Sequence, residues 1–566
     1  MECLSRKVSL YGLCLLLVAL LAPARARAAW TQAQVAGYSA RIERAWVPLT
    51  DVATGTVGER VAPGAHATPG RNYGTFMLAG AQLRTARATG DGALAQAAGA
   101  IVAGILAQHA GGAPNDPFNQ LAAATLLTDG RAGKLPADAW AGLREPLEAM
   151  IGRIGPFTGH GFADPSVYDN WRLVWAAAAV QIAAAGLSAD PAALRAEVAR
   201  IVNELAPANG GPLIRTPYGP GKALSDPPDQ PLAYHLLSAV LLERIRAADP
   251  SVFGPEAAQL RERVGNYALT LMAPDGDLTL AGRSNQQSWV LAAAADLGAL
   301  RASEGGPQAG AWRAFAERAL DRLVRVHGTF ADGTLPVVPG LRLQGDPAIT
   351  DAYSSLSQYN GLTLFLLNHA AEHWPEAVPA GALPGDGDLL ASDLAPGGPS
   401  LVWGRAGGVW WAIQGRQTGE DSRTTQGVVA LKTRTRSGRW RDRLATRPIR
   451  VRPKTNWVLH TRRGDAHLAL TRASGRGAHA VLKGRWVLSG GRTYRSARWD
   501  VRAARGRLTV VTEPLRKGER LQAGLWAPGG ITARSSRAGA CTVSASGRAC
   551  ARRLQWRGGK RARLTL

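Results

Sequence analysis

Three short segments gather side chains that move protons and grip anions. The first is His160-Gly161-Phe162-Ala163-Asp164-Pro165-Ser166-Val167-Tyr168-Asp169-Asn170-Trp171-Arg172, which runs into the apolar stretch Leu173 to Ala184. The second, Ser225-Asp226-Pro227-Pro228-Asp229-Gln230-Pro231-Leu232-Ala233-Tyr234-His235, opens a periodic stretch that continues to Arg246. The third pairs Asp275-Gly276-Asp277 with Gly282-Arg283-Ser284-Asn285-Gln286-Gln287-Ser288-Trp289. Each lies where a loop meets a helix start.

Amides and guanidinium groups neutralise a carboxylate, while a phenol beside an imidazole supplies an acid and a base. That set suits β-elimination in a 4-linked uronic acid. The C5 carboxylate must be neutralised, the C5 proton removed and the leaving O4 protonated. Asn170, Gln230 and Arg283 are the candidate carboxylate ligands, with Asn285, Gln286, Tyr168, Trp171 and Arg172 as further substrate contacts. Tyr234 is the candidate acid and base, and His235 or His160 the helper base. Tyr234 and His235 are adjacent, about 100° apart on a helix, so both reach one cleft only at the helix end.

Plainer readings stand beside these. Asn170 suits an N-cap, Asp229 with Pro231 is a helix-start signal, and Ser284 or Asn285 can cap the following helix. Tyr234 can equally be a buried, hydrogen-bonded tyrosine. Asp275-Gly276-Asp277 lacks the rest of a calcium-binding loop and reads as a turn. The chemistry demands no cofactor, and no compact His/Cys/Asp group announces a metal site.

The elements that must position these residues are helical from Ala29 to about Ala380. Ala-rich segments with three- and four-residue apolar spacing recur at roughly 33–46, 73–88, 92–110, 118–127, 136–152, 170–186, 191–205, 231–247, 255–272, 286–303, 310–327 and 354–371. Twelve helices with short connections predict an (α/α)6 toroid, with an α-solenoid or irregular bundle as the alternative. A Pro/Gly/Asp-rich linker over 381–399 follows. From 400 to 566 the texture changes to runs such as Leu401-Val402-Trp403, Val409 to Ile413, Asn456 to His460, His467 to Leu470 and Leu508 to Thr512. These predict about a dozen antiparallel strands in a β-sandwich. The fold class expected is therefore α+β multidomain, a toroid followed by an antiparallel β-domain.

The 566 residues carry 67 Lys+Arg against 42 Asp+Glu, but from Leu401 onward the balance is 37 against 7. One half is mildly acidic and the other strongly basic, which points to polyanionic partners or to solvated arginine-rich strand faces. Arg6 and Lys7 precede an apolar run from Tyr11 to Ala22, and Ala26-Arg27-Ala28 places small residues at −3 and −1. This is the layout of a secretory signal peptide over 1–28, cleaved after Ala28. No later stretch reaches the ~18 uninterrupted apolar residues of a membrane span, so the mature chain is expected to be exported. Cys3 and Cys14 leave with that segment; Cys541 and Cys550 bracket Thr542 to Ala549, and a disulfide-closed hairpin is expected, with two free thiols as the alternative.

Signal peptide, helical toroid, Gly/Pro linker and β-domain together resemble the heparinase II/III-like and alginate-lyase-type polysaccharide lyases. Asp229-Gln230-Pro231-Leu232-Ala233-Tyr234-His235 is similar to the acidic/Gln-x-x-x-Tyr-His stretch of their toroid, with Pro231 where the family more often has Ser. Tyr168-Asp169-Asn170-Trp171 resembles their Asn-containing helix start, and Ser400 to Ile413 the first strands of their β-domain. The resemblance implies a secreted carbon–oxygen lyase acting on an acidic polysaccharide. It also implies a β-domain histidine, for which His460, His467 and His479 are candidates, and leaves room for a structural metal.

Two other classes compete. A toroid glycoside hydrolase needs a carboxylate pair, which Asp169, Asp226, Asp229, Asp275 and Asp277 can supply. A non-catalytic binder of polyanionic glycan would use the arginines and Trp403, Trp410, Trp411, Trp440, Trp457, Trp486, Trp499, Trp526 and Trp556. No nucleic-acid-binding motif is present.

Overall fold

The computed structural model describes residues 29–58, 72–110, 116–154, 169–208, 213–216, 219–224, 232–278, 284, 287–339, 355–392, 401–415, 426–444, 457–528, 537–544, 547–559 and 561–566. Of residues 169, 206–208, 213–216, 219, 526–528, 537–544 and 547–553 only the backbone is described.

Twelve α-helices occupy the first part of the described chain. They are α1 (Gln32–Trp46), α2 (Tyr73–Thr89), α3 (Gly92–Gln108), α4 (Pro117–Arg131), α5 (Ala137–Ile151), α6 (Asp169–Ala184), α7 (Pro191–Ala208), α8 (Leu232–Ala248), α9 (Pro255–Leu271), α10 (Ser288–Ser303), α11 (Ala309–Arg322) and α12 (Leu356–Glu372). The even-numbered helices form an inner ring, each packed on the next, and α12 closes the ring against α2. The odd-numbered helices lie outside them.

The two rings differ in sequence for a physical reason. An inner helix touches protein on every side, so it is buried all round: every residue from Ser288 to Ala302 of α10 is buried. An outer helix buries one stripe, as α3 does with Leu94, Ala97, Ala98, Ile101, Val102 and Ile105. Ring closure depends on two glycines. A Cβ on Gly361 would stand 1.7 Å from the Gly74 carbonyl oxygen, and one on Gly74 would stand 2.1 Å from the Gln358 carbonyl oxygen. The α2 and α12 backbones therefore meet directly.

Two short hairpins interrupt the helices: β1 (Thr50–Asp51) with β2 (Thr56–Val57), and β3 (Leu213–Thr216) with β4 (Gly219–Lys222). The remaining strands form two antiparallel sheets. The first contains, in spatial order, β5 (Leu389–Ser392), β6 (Leu401–Ala406), β7 (Val409–Gln414), β8 (Gly427–Arg434) and β9 (Trp440–Leu444). The second has nine strands: β10 (Val458–Thr461), β11 (Gly464–Arg476), β12 (His479–Leu488), β13 (Thr493–Ala504), β14 (Arg507–Pro514), β15 (Arg520–Pro528), β16 (Arg537–Ser544), β17 (Gly547–Arg557) and β18 (Arg561–Thr565). Their order is β16-β17-β15-β10-β11-β12-β13-β14-β18. Strand β5 lies within the stretch read as a linker, because Leu389 and Ala391 pack inward although Pro and Gly surround them.

The five-stranded sheet is a middle layer. Trp403, Trp410, Ala412 and Ala430 join the core shared with the toroid, while Val402, Val409, Trp411, Ile413 and Leu431 join the core under the nine-stranded sheet. With both faces covered, β7 is buried at every position. The nine-stranded sheet has one wet face, and β12 alternates buried with exposed residues accordingly. This layering corrects one sequence reading. Trp403, Trp410, Trp411, Trp457, Trp486 and Trp499 are no more than 1% exposed, so they build the cores and present no stacking surface.

Sheet and toroid are also joined by buried charge. Lys432 Nζ of β8 lies 2.9 Å from Asp275, 3.0 Å from Asp277 and 2.5 Å from Asp442. Arg322 of α11 bridges Asp275 at 2.6 Å and Asp277 at 3.1 Å. Burial opposes ionisation of Asp275, but the Arg322 and Lys432 charges outweigh it and hold its carboxyl well below the usual range. Asp275-Gly276-Asp277 is indeed a turn, with Gly276 at φ +87°, and it serves as the socket for Lys432.

Candidate active site at the mouth of the toroid

All six inner helices run in the same direction, so their N-termini meet at one mouth. Each brings an aromatic side chain in its first four residues: Tyr73, Phe118, Trp171, Tyr234, Trp289 and Tyr359. Trp171 stands edge-on to Phe118 at 5.7 Å, and Phe118 stacks on Tyr73 at 4.5 Å. Tyr73 hydrogen-bonds Gln358 and Tyr359, Tyr359 stacks on Trp289 at 6.5 Å, and Trp289 meets Tyr234 at 5.6 Å. Phe118, Trp289 and Tyr359 are buried. Tyr73, Trp171 and Tyr234 are half-buried and form the accessible rim.

Local capping fixes these positions. At the start of α2, Asn72 Oδ1 accepts from Thr75 N at 3.1 Å while Thr75 Oγ1 accepts from Asn72 N at 3.0 Å, a reciprocal cap that orients Tyr73. Asp116 caps α4 by accepting from Phe118 N at 2.8 Å. Buried Gln287 accepts the Trp289 indole N–H at 2.5 Å.

Tyr234 Oη lies 3.2 Å from Ser284 Oγ. Ser284 is fully buried and sits at φ +60°, a left-handed conformation that costs a non-glycine residue of order 1 kcal/mol. Such strain persists only where the surroundings enforce it. Burial pushes the Tyr73 phenol above its ordinary value; the Gln358 hydrogen bond opposes this, and the nearby Tyr234 and Asp116 charges add to it. Six helix N-termini also turn their positive dipole ends toward the mouth, which favours an anion there.

The residues singled out in the sequence separate in the structure. Asn170 is 2% exposed in the first turn of α6; its Oδ1 accepts from Trp171 N at 2.9 Å, leaving the amide Nδ2 as its donor end. Arg172 is buried, and its guanidinium reaches Glu204 of outer helix α7 at 3.0 Å; it turns from the mouth into an ion pair. His235 likewise turns into the core. It is 1% exposed, accepts from Leu224 N at 2.9 Å through Nδ1 and meets Tyr267 edge-on at 4.8 Å, with Tyr267 meeting Trp403 at 5.8 Å. Burial pushes the His235 imidazole down to about 3. His160, Tyr168, Gln230, Arg283, Asn285 and Gln286 lie outside the described residues.

The β-domain histidine candidates all fall in the outer, nine-stranded sheet: His460 beside Asp465 at 2.6 Å, His467 on β11, and His479 3.5 Å from Asp500. Cys541 and Cys550 are direct partners in the β16/β17 register. Among the described residues no group of three or more His, Cys, Asp and Glu is placed to hold a metal, and no helix is long and apolar enough to cross a membrane.

Sequence reasoning missed Tyr73, Phe118, Ser284 and Tyr359. The signal of the three rings was an aromatic in the first turn of every second helix, visible only once the helices are numbered around the ring; Ser284 read in the sequence as a helix cap.

No known family pattern matches the chain, and no curated protein matches it. Among solved structures, it is similar to a heparan sulfate lyase HepC mutant from Pedobacter heparinus, at 10% identity and a TM-score of 0.46 over 87% of this chain and 74% of that one. It is also similar to the chondroitin AC lyase of Streptomyces coelicolor A3, at 14% identity and a TM-score of 0.45 over 94% and 78% of the two chains. A glycosyl hydrolase family 88 protein from Bacteroides vulgatus aligns at 11% identity and a TM-score of 0.40, over 61% of this chain and 99% of its own.

Proposed function

We propose that this chain is an exported polysaccharide lyase that cleaves a uronic-acid-containing polysaccharide by β-elimination at the mouth of the toroid. The observation that carries the reading is the Tyr234 hydroxyl. It belongs to a half-buried residue, is bonded to a strained and buried serine, and is set among half-exposed aromatic rings where six helix N-termini converge.

Each feature has a use in the reaction. The flat faces of Tyr73 and Trp171 suit the apolar faces of sugar rings. The helix dipoles and the Asn170 amide Nδ2 favour the substrate carboxylate, and Gln230 and Arg283 complete that group in this reading. Neutralising the carboxylate acidifies the C5 proton. Tyr234 then accepts that proton and delivers one to the departing O4, with His160 as helper base. The buried His235 takes a positioning role, tying the start of α8 to Leu224 and Tyr267. The product carries a C4–C5 double bond.

The hydrolase reading loses two of its five carboxylates, since Asp275 and Asp277 are bound by Lys432 and Arg322.

The test is absorbance of the unsaturated uronate during incubation of the mature chain with alginate, heparan, chondroitin, hyaluronan and glucuronan polymers, beside a Tyr234→Phe control. Rising absorbance absent from the control supports the reading. New reducing ends without absorbance, lost in Asp226→Asn or Asp229→Asn, would replace it with the hydrolase.

A further inference from the structure

The outward face of the nine-stranded sheet arranges cations in a way that folding alone does not reward. Arg472 of β11, Lys483 of β12 and Arg498 of β13 are direct cross-strand partners in one row, and all three are exposed. Arg485 lies two residues from Lys483 on the same face, and Arg502 four from Arg498. Like charges directly opposite one another destabilise a sheet. Lysines and arginines often guard edge strands against aggregation, but β12 has five strands on one side and three on the other, so no edge needs guarding there.

Local acids do not balance the row. Glu513 and Glu519 pair with Arg495 at 3.0 and 2.8 Å, Asp442 with Lys432, and Asp465 with His460. Asp500 is the acid among the outward positions of β13, 3.5 Å from both Arg498 and His479.

We propose that this face, over Arg472, Lys483, Arg485, Arg498 and Arg502, is a second binding surface for a linear sulfated or carboxylated polysaccharide. It rests on the lyase reading for its occupant and holds the polymer on the side of the β-domain away from the toroid. Charge complementarity selects a polyanion. A glycan fits better than a nucleic acid because single strands are held largely by stacking on several aromatic rings, and the outward positions of β12 and β13 from Lys483 to Arg502 carry one, Tyr494, which packs partly buried against the core. The tryptophans of these strands, Trp486 and Trp499, point into the core.

The experiment uses the full mature chain carrying Tyr234→Phe, so that no polymer is consumed. Binding to heparin, hyaluronan and single- and double-stranded DNA is measured over a range of salt, with and without the triple variant R472S/K483S/R498S and the charge-keeping R472K/R498K. The triple variant is expected to lose at least tenfold in heparin affinity, with the slope of log affinity against log salt shallower by about 2 to 3, as for three lost ion contacts. R472K/R498K is expected to bind within about threefold of the parent, which separates charge from folding. Unchanged heparin affinity in the triple variant overturns the proposal, as does loss of affinity in both variants alike. DNA held more tightly than heparin through the same residues overturns the glycan as occupant. Heparin binding that depends on the row, beside a chain with Tyr234 intact that yields no unsaturated product from any polymer of the panel, keeps this surface and discards the lyase reading.

Discussion

Tyr234 and Ser284 meet hydroxyl to hydroxyl at 3.2 Å, and the serine is held in a left-handed backbone conformation to do so. Ser284→Ala removes the hydroxyl and keeps the strain, so it should lower kcat about tenfold or more while costing about 1 kcal/mol of stability. Ser284→Gly loses the same hydroxyl but accepts φ +60° freely, and should match or exceed the alanine variant in stability with the same loss of activity. Thermal melting beside initial rates decides; an active alanine variant would remove the serine from the site.

Gly74 and Gly361 should tolerate nothing larger. A methyl on Gly361 would lie 1.7 Å from a backbone oxygen of the neighbouring helix, so α2 and α12 would have to separate where the ring closes. Gly361→Ala should cost about 3 kcal/mol or more. Gly99→Ala on outer helix α3, where a Cβ meets nothing within 4 Å, should be neutral or slightly stabilising. Denaturant midpoints of the two variants give the comparison.

Lys432→Met removes the cation that Asp275, Asp277 and Asp442 share. Breaking a buried ionic cluster in this way should cost about 3–5 kcal/mol at neutral pH. In the parent, the lowered Asp275 pKa gives stability that is present above the ordinary carboxylate value and lost as pH falls through the folded one. The variant reverses that trend, because its crowded carboxylates gain from protonation, so its deficit should shrink between pH 7 and pH 4. A deficit that stays constant with pH would refute the ionic account.

Two buried histidines and the half-buried His369 set a second acid window. Burial is the first cause in each: His235 is pushed down to about 3, and His327 and His369 to about 4, from an ordinary 6.5. Unfolded chains take up these protons below 6.5, whereas the folded protein does not until about 4 or lower. Stability is therefore full above pH 6.5 and falls progressively toward pH 4, each such histidine adding about 1.4 kcal/mol per pH unit. His235→Gln should flatten the melting temperature against pH by one histidine's share; an unchanged slope would place His235 in a protonated state.

Cys541 and Cys550 face one another in the strand register, so the hairpin expected from sequence brings their backbones together. Thiol counting on a denatured, unreduced chain that begins at Ala29 should find none free, and reduction should release two. Two free thiols without reduction would dismiss the bridge.

The sequence by itself determined the elements. Its 3.6-residue periodicity located all twelve helices to within a few residues, since local spacing and caps suffice for that. The buried-all-round and one-striped helices that build the two rings follow from the same apolar pattern. The change to short apolar and alternating runs after Leu401 likewise announced the strands, because a buried middle sheet and a half-wet outer sheet demand different patterns.

Only tertiary structure decided what those elements bring together. Six first-turn aromatics, spread from Tyr73 to Tyr359, become neighbours because the ring closes, and no local rule encodes that closure. Tyr234 and His235 part because a turn of about 100° sends one to the mouth and the other against Tyr267. Asp275 and Asp277 looked like an ordinary turn, and are one, until Lys432 arrives from a strand more than a hundred residues away. The tryptophans of the basic half read as binding residues by type. Six of them, Trp403, Trp410, Trp411, Trp457, Trp486 and Trp499, are core residues by position, because two stacked sheets and a toroid leave large rings their most favourable place inside and charged arginines theirs in water.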